Sequence, residues 1–251
     1  MMSTERRVQT REPCDLLSWD SEFFGLRIAR VRLHRLGPSE VSKVATWCKN
    51  RRVDCAYFLA SGSDASTSRR AQDAGYRMVG IRASFSADLR SLPRYCAAEG
   101  VRLHDPADVE PMSTLSRGAF KGSRFYRDDH FPRRRCDALY ETWLRKSCAG
   151  WAQAVFLIGR QGRPDGFVTC HLDPGMAGRI GLIAVEPRSR GSGVGSRLIQ
   201  AALYWFGKKG VNSVSVVTEG GNVRAIRLYE HSGFRADSLD VWYHFWPRRR
   251  T

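Results

Sequence analysis

The chain has 251 residues, and its 41 lysines and arginines exceed its 25 aspartates and glutamates, giving a formal net charge of +16 at pH 7. This length is typical of one large domain or two small ones, and a hydrophobic fraction of 42% is ordinary for a chain that buries a core. No apolar run approaches the roughly 20 residues of a membrane helix, and the charged segment Met1 to Pro13 lacks the apolar centre of a signal peptide. We therefore expect a cytoplasmic protein without a membrane partner.

The cysteine pattern argues against disulfides and zinc. The seven cysteines are scattered singly, and none belongs to a Cys-x-x-Cys pair. This pattern is typical of free thiols in a reducing compartment, so we expect no disulfide framework and no metal.

The positive charge leaves two kinds of partner open, nucleic acid and polyanionic small molecules. The arginines are spread along the chain, with small clusters at residues 133–135 and 248–250. No nucleic-acid-binding module is recognisable, and the cluster from Arg248 to Arg250 is interpreted as a solvated tail. We therefore expect a small-molecule partner and no nucleic acid.

The first part of the chain predicts a small α/β unit over residues 14 to 90. Its aromatic cluster at residues 19 to 24 is interpreted as core and leads into alternating Ile28, Val31 and Leu33. Hydrophobic periodicity and turn residues then predict a helix over 38–50, a strand over 53–60, a helix over 66–74 and a strand over 77–89.

Residues 92 to 100 are interpreted as a linker, which predicts domains over 1–98 and 99–251. In the second domain the patterns predict helices over 108–120 and 133–147, three strands over 151–159, 165–172 and 178–185, a helix, a strand over 213–217, a helix over 223–231 and two final strands, the last over 241–246.

A glycine-rich turn joins the strand Ile183-Ala184-Val185 to the following helix. Glycines at 191, 193 and 195 allow the backbone to turn with unrestricted φ. The free N–H groups and partial positive charge of the helix N-terminus, with Arg188 and Arg190 beside them, suit a phosphate or pyrophosphate. Neither the dinucleotide-binding pattern nor the P-loop pattern is met. A turn without a ligand stays open as the alternative.

Two motifs carry a family resemblance. Arg190-Gly-Ser-Gly193-Val-Gly195 fits R-x-x-G-x-G, and Asn222 to Phe234 fits N-x-x-A-x-x-L-Y-x-x-x-G-F. Together they resemble the signatures of the GNAT acetyltransferases, over roughly residues 100 to 247. The resemblance implies an α/β GNAT fold, a mixed and strongly twisted sheet with flanking helices, preceded by a smaller α/β domain. Whether that first domain is a degenerate GNAT-like half stays open.

The resemblance also implies acetyl-CoA as cosubstrate and assigns residues to it. The coenzyme-binding residues it implies are Ile183, Ala184, Val185, Arg190, Gly191, Ser192, Gly193, Val194, Gly195, Ser196 and Asn222. Tyr229 is the predicted general acid, because a phenol of pKa ~10 can protonate a thiolate of similar basicity. Two alternatives remain: Tyr229 could simply pack beside Leu228, and Asn222 is also a good N-cap.

The acceptor site is predicted mainly from one loop. The segment from Arg124 to Pro132 is dense in charge and aromatic residues, and arginines suit a nucleotide diphosphate. The predicted substrate-binding residues are Arg124, Asp128, Phe131, Arg134 and His171. The strand before the turn carries no carboxylate that could act as general base. His171 is a candidate for that role, but the preferred interpretation is that a chain of water molecules carries the proton of the amine to bulk solvent.

The segments at residues 19–25, 124–132, 139–143 and 242–244 resemble the TDP-fucosamine acetyltransferase branch of this family. That resemblance implies acetylation of the 4-amino group of a nucleotide-linked deoxysugar by direct attack, with a homodimer left open. Two alternatives are an acetyltransferase for another amine (antibiotic, polyamine or protein) and a basic nucleic-acid-binding module, which the two coenzyme motifs disfavour.

Overall fold

The computed structural model describes residues 12–91 and 96–247. The predicted tail Arg248 to Arg250, residues 1–11 and residues 92–95 of the predicted linker lie outside the described residues. Within the described ranges no helix is both long and apolar enough to cross a membrane. The described residues divide into two compact units, one within the bounds Met1–Met78 and Val241–Thr251 and the other within Val79–Asp240.

The elements that lie wholly within the first unit are β1 (Cys14–Leu16), α1 (Ser18–Phe24), β2 (Ile28–Val31), α2 (Pro38–Asn50), β3 (Cys55–Ser61) and α3 (Ala65–Asp73). β1 pairs antiparallel with β2, and β2 pairs parallel with β3. Its core packs one face of α2, through Val44 and Cys48, against Phe58 of β3 and against Tyr76 and Tyr243. The bounds of α2 agree with the predicted helix.

The second unit contains most of β4 (Arg77–Asp88), then β5 (Val101–Leu103), α4 (Val109–Ala119), α5 (Arg133–Lys146), β6 (Ala154–Arg160), β7 (Arg163–Asp173), β8 (Ala177–Val185), α6 (Val194–Lys208), β9 (Ser213–Glu219), α7 (Val223–His231) and the first part of β10 (Arg235–Phe245). Its strands lie in the order β4-β9-β8-β7-β6-β5. Neighbours in this order are antiparallel, except β8 and β9, which are parallel. This mixed sheet with flanking helices confirms the predicted fold class.

The core of the second unit lies between its sheet and helices α6 and α7. The predicted apolar face of α6 is buried throughout, at Leu198, Ile199, Ala202, Leu203 and Phe206. It packs against strand residues such as Phe85, Val214 and Val216. Helix α4 packs against β7 and β8, and α5 packs against α4. Burial of each large apolar side chain contributes on the order of 1.5–3 kcal/mol.

Three features differ from the sequence-based expectations. The two predicted final strands are one strand, β10, because no glycine or proline interrupts residues 235–245. The aromatic cluster at residues 19–24 forms helix α1, in which Phe24 alone is fully buried. The compact units separate at 78/79 and 240/241, whereas the predicted domains separate at 98/99, because β4 pairs with β9 from Arg82 to Asp88. The two-domain division itself stays a prediction.

All seven cysteines are free thiols, and five of them are buried.

Candidate functional site

Strands β8 and β9 separate before β8 ends. Their parallel pairs run from Ala177 with Ser213 to Ile180 with Val216 and stop there. β8 continues to Val185 while pairing on its other side with β7. One edge of β8 over residues 181–185 is therefore open, and an extended ligand with amide groups can add there as a further strand.

A β-bulge marks the point where β8 leaves β9. The register with β7 shifts between Val168 and Cys170, opposite Gly181 and Leu182. The N–H of Leu182 donates to Oγ1 of Thr169 at 2.8 Å. Because a bulge bends its strand, this irregularity turns the end of β8 away from the regular ladder.

The turn after β8 presents a group of backbone donors. Gly191 and Gly193 both have a φ of 81°, the left-handed region that glycine adopts most readily. Over the part of the chain that the structure describes, the N–H groups of residues 191–196 donate to no protein acceptor. Some of these groups belong to the first turn of α6, where the helix dipole adds partial positive charge. This donor set fits the pyrophosphate of a coenzyme.

Arginines border this turn on both sides. Arg188 lies 3.8 Å from Asp165, and the Ser189 hydroxyl donates to the same carboxylate at 2.5 Å. Arg190 is exposed, and its Nε donates to the carbonyl of Val185 at 3.3 Å. Asp165 therefore secures the turn, and Arg190 is the better placed of the two arginines to meet an anion.

Tyr229 lies on α7 within the core of the second unit. Only 2% of its surface is exposed, and its ring centroid is 5.8 Å from those of Phe85 and Phe234. Burial raises the pKa of Tyr229, so the phenol stays protonated at neutral pH, as a proton donor must. Packing and proton donation are both compatible with this position, and the catalytic role stays a prediction.

Asn222 caps α7, as its sequence position indicates. Its side-chain oxygen accepts the N–H of Ala225 at 3.3 Å, and its amide nitrogen donates to Oγ1 of Thr218 at 3.2 Å. The cap satisfies one of the free donors of the helix. The predicted contact with the coenzyme remains a prediction.

His171 is buried beside the bulge. Its Nε2 lies 3.3 Å from Oγ1 of Thr169, and the ring also has a hydrogen bond to the backbone of Trp151. A Cβ at position 181 would lie 2.5 Å from this Nε2, so Gly181 makes room for the ring. Burial and, less strongly, the charge of Arg179 lower the pKa of His171. These contacts hold a neutral imidazole in place, and its contact with substrate stays a prediction.

Several predicted acceptor residues have packing roles in the segment between α4 and α5. Asp128 is buried and accepts from the backbone N–H of His130 at 3.2 Å, while Phe131 is buried edge-on against Phe125. Arg134 is exposed at the start of α5. Asp128 and Phe131 therefore shape this segment from within, and Arg134 faces solvent.

Arg124, a predicted substrate-binding residue, lies beside Glu219, a carboxylate that the sequence did not predict as part of the site. Its guanidinium lies 4.3 Å from the Phe125 ring centroid, and its backbone donates to the carboxyl of Glu219, at the end of β9. Burial raises the pKa of Glu219, against the opposing charges of Arg127 and Arg124. The one sequence feature that could have predicted a role for Glu219 is its position at the end of β9, three residues before the second motif begins at Asn222.

The comparisons with known proteins agree with this geometry. Residues 121–234 match the acetyltransferase (GNAT) family. A GCN5-related N-acetyltransferase from Sphaerobacter thermophilus has the same fold, with a TM-score of 0.64 at 20% identity, over 94% of this chain and 76% of that one. The chain therefore contains a GNAT acetyltransferase domain, which includes both motifs and the turn between β8 and α6.

Two curated relatives carry sugar-related names. The dTDP-fucosamine acetyltransferase of Escherichia coli O6:H1 is 26% identical over 94% of this chain and 99% of its own length. The spore coat polysaccharide biosynthesis protein SpsD of Bacillus subtilis is 29% identical over 59% of this chain. The match to SpsD therefore spans only 50% of that protein's length.

Proposed function

We propose that this protein transfers the acetyl group of acetyl-CoA to the amine of a nucleotide-linked amino-deoxysugar of the dTDP-4-amino-4,6-dideoxyhexose type. The observation that carries the acceptor class is the similarity to dTDP-fucosamine acetyltransferase, which extends over 94% of this chain and so includes both compact units.

The donor site of the proposal is the open edge of β8 and the turn that follows it. The edge over residues 181–185 receives the amide-containing arm of the coenzyme, and the N–H groups of residues 191–196 with Arg190 receive its pyrophosphate. A backbone N–H of the β8 edge, from residues 183 to 185, stabilises the negative charge that develops on the thioester oxygen.

In the proposed reaction the neutral amine attacks the thioester carbonyl directly. The carbon–sulfur bond of the tetrahedral intermediate then breaks, and Tyr229 donates a proton to the departing thiolate. The raised pKa of Tyr229 keeps the phenol protonated at neutral pH, so a proton is in place when the carbon–sulfur bond breaks. Neither a metal nor a covalent enzyme intermediate takes part in this scheme.

The acceptor side of the proposal uses the segment between α4 and α5. Arg124 and the exposed Arg134 supply the positive charge that a nucleotide diphosphate requires, while Asp128, Phe131 and His171 support the walls around it. A cytoplasmic location and a homodimeric state complete the proposal. Acetylation of a different amine is the second candidate, since the donor site alone does not select the acceptor.

The experiment is an incubation with acetyl-CoA and a panel of amines, with products identified by mass spectrometry. The panel contains dTDP-4-amino-4,6-dideoxyhexoses, the matching free amino sugars, polyamines, an aminoglycoside and lysine peptides. The proposal predicts acetylation of the nucleotide-linked sugars. Acetylation confined to any other member would discard the acceptor class and keep the donor site.

A further inference from the structure

We infer that the carboxylate of Glu219 receives the proton of the acceptor amine and is therefore a catalytic residue of the acetyl transfer. This inference rests on the proposed function in one respect, that the acceptor is an amine. It assigns the general base to a strand neighbouring β8, since β8 itself carries no carboxylate.

The face of the sheet is the first argument. Val214 and Val216 of β9 are buried in the core against α6 and α7. Because side chains alternate along a strand, Glu219 points to the opposite face of the sheet. The groups that surround its carboxyl come from the segment between α4 and α5 and from α5 itself, the side of the sheet away from α6.

The position along the strands is the second argument. β8 and β9 run parallel, and their last pair joins Ile180 to Val216. Glu219 lies three residues beyond Val216 at the end of β9, and Ile183 lies three residues beyond Ile180, so both follow the point where the two strands separate. Ile183 lies on the open edge that the proposal gives to the coenzyme, so the carboxyl of Glu219 borders the place where donor and acceptor meet.

The third argument is that the carboxyl is held in place but keeps a free oxygen. One contact comes from the backbone of Arg124, whereas Oε2 is buried without a hydrogen-bond partner among the described residues. Gly80 of β4 leaves room for this atom, because a Cβ there would lie 3.1 Å from Oε2. A buried carboxylate oxygen without a partner is costly in a folded protein unless a ligand supplies the missing donor.

The charges around Glu219 suit an acceptor that carries both a positive ammonium group and a negative diphosphate. Arg124 and Arg127 lie near it on the loop side, and Tyr140 faces it from α5. Burial raises the pKa of Tyr140 to about 12, with the charge of Glu219 adding to the effect. A nucleotide-linked amino sugar would place its ammonium group at Glu219 and its diphosphate toward the arginines.

The proton balance is as follows. The acceptor ammonium loses one proton to Glu219, the neutral amine then forms the carbon–nitrogen bond, and the carbon–sulfur bond of the tetrahedral intermediate breaks afterwards. The nitrogen loses a second proton on becoming an amide, while the thiolate gains one from Tyr229. The second proton passes through solvent to the phenolate of Tyr229 and so reprotonates it. Glu219 releases the first proton to bulk solvent. Each turnover therefore releases one net proton.

The experiment compares wild type with Glu219→Gln, which keeps the shape of the side chain, across the same amine panel and from about pH 6 to pH 9. The matched control is Glu230→Gln, at an exposed carboxylate on α7. Coenzyme A affinity, measured by calorimetry, serves as the check that the donor site is intact in each variant.

We expect Glu219→Gln to lower kcat/KM by roughly 10²-fold at the acid end, the usual scale of general base catalysis, with coenzyme A affinity unchanged. The loss shrinks as pH approaches the pKa of the amine, since a neutral amine no longer needs a base. A loss of the same size at every pH, or none, would overturn the inference.

The two proposals fail separately in this experiment. If wild type acetylates an amine outside the nucleotide sugars and Glu219→Gln loses that activity at low pH, the acceptor class is wrong and the base is right. If wild type acetylates nucleotide sugars and the variant matches it, the base is wrong. Transfer to no amine at all would reject both.

Discussion

Oγ1 of Thr169 accepts a 2.8 Å hydrogen bond from the backbone N–H of Leu182, at the residue where β8 departs from a regular ladder. The same hydroxyl lies 3.3 Å from Nε2 of His171. Thr169 therefore satisfies a buried backbone donor that the bulge would otherwise leave unpaired, and it does so beside the edge that we assign to the coenzyme.

Thr169→Val tests this role. The variant keeps the shape of the side chain and leaves the Leu182 N–H unpaired, which costs about 1–3 kcal/mol in the free energy of unfolding. We expect that loss in denaturant unfolding, together with a higher KM for acetyl-CoA. Thr114→Val, on the exposed face of α4, is the matched control and should change little. Equal stability of wild type and Thr169→Val would contradict the structural role.

The left-handed glycine before α6 gives a second prediction. Gly193→Ala places a Cβ at a φ of 81°, which costs about 1–2 kcal/mol of local strain. We expect a lower midpoint of thermal unfolding and a several-fold higher KM for acetyl-CoA.

Gly207→Ala is the control for that substitution. Gly207 lies in the same helix, with ordinary φ and open space around its Cα. Alanine there should stabilise the protein by roughly 0.4–1 kcal/mol. Two variants with the same effect would show that the turn does not require its left-handed conformation.

The predicted general acid gives a third test. Tyr229→Phe removes one hydroxyl and keeps the ring that packs against Phe85 and Phe234, so stability should stay near that of wild type. We expect kcat to fall by roughly 10²-fold or more with coenzyme affinity kept. Tyr204→Phe, at a partly exposed position on α6, is the control. Full activity of Tyr229→Phe would assign Tyr229 to packing alone.

A fourth prediction concerns pH and stability. Burial lowers the pKa of His171, so below the ordinary value of about 6.5 the unfolded chain binds a proton that the folded chain does not. The free energy of unfolding should therefore fall as pH drops below about 6.5. His171→Gln should lose that part of the slope when unfolding is measured from about pH 5 to pH 8. An unchanged slope would show that the folded protein protonates this ring freely.

The sequence predicts the second unit well because its helices and strands have strong local signals. Asn222 caps α7 and Gly233 follows its end, so the bounds of that helix match the prediction from Val223 to His231. The buried face of α6 follows from the spacing of its apolar residues alone.

The features of the fold and the site that the sequence did not predict depend on contacts between residues that are distant in the chain. The bulge at Leu182 is stabilised by a hydrogen bond to Thr169 on the neighbouring strand, and no local sequence pattern predicts that contact. Asp128 and Phe131 look like ligand contacts in a loop of charges and aromatics, yet both are buried in the fold of that loop. Glu219 escaped notice because its environment comes from β4, β9 and the segment before α5 together.

The most direct test of the account is the ratio of kcat/KM for a dTDP-linked 4-amino-4,6-dideoxyhexose to that for the same amino sugar without its nucleotide, measured by thiol release from acetyl-CoA. The account predicts turnover of the nucleotide-linked sugar and a ratio of roughly 10²-fold or more, since loss of charge-assisted contacts to the diphosphate costs several kcal/mol. Equal rates on the two sugars, or turnover of neither alongside efficient acetylation of another amine, would contradict it.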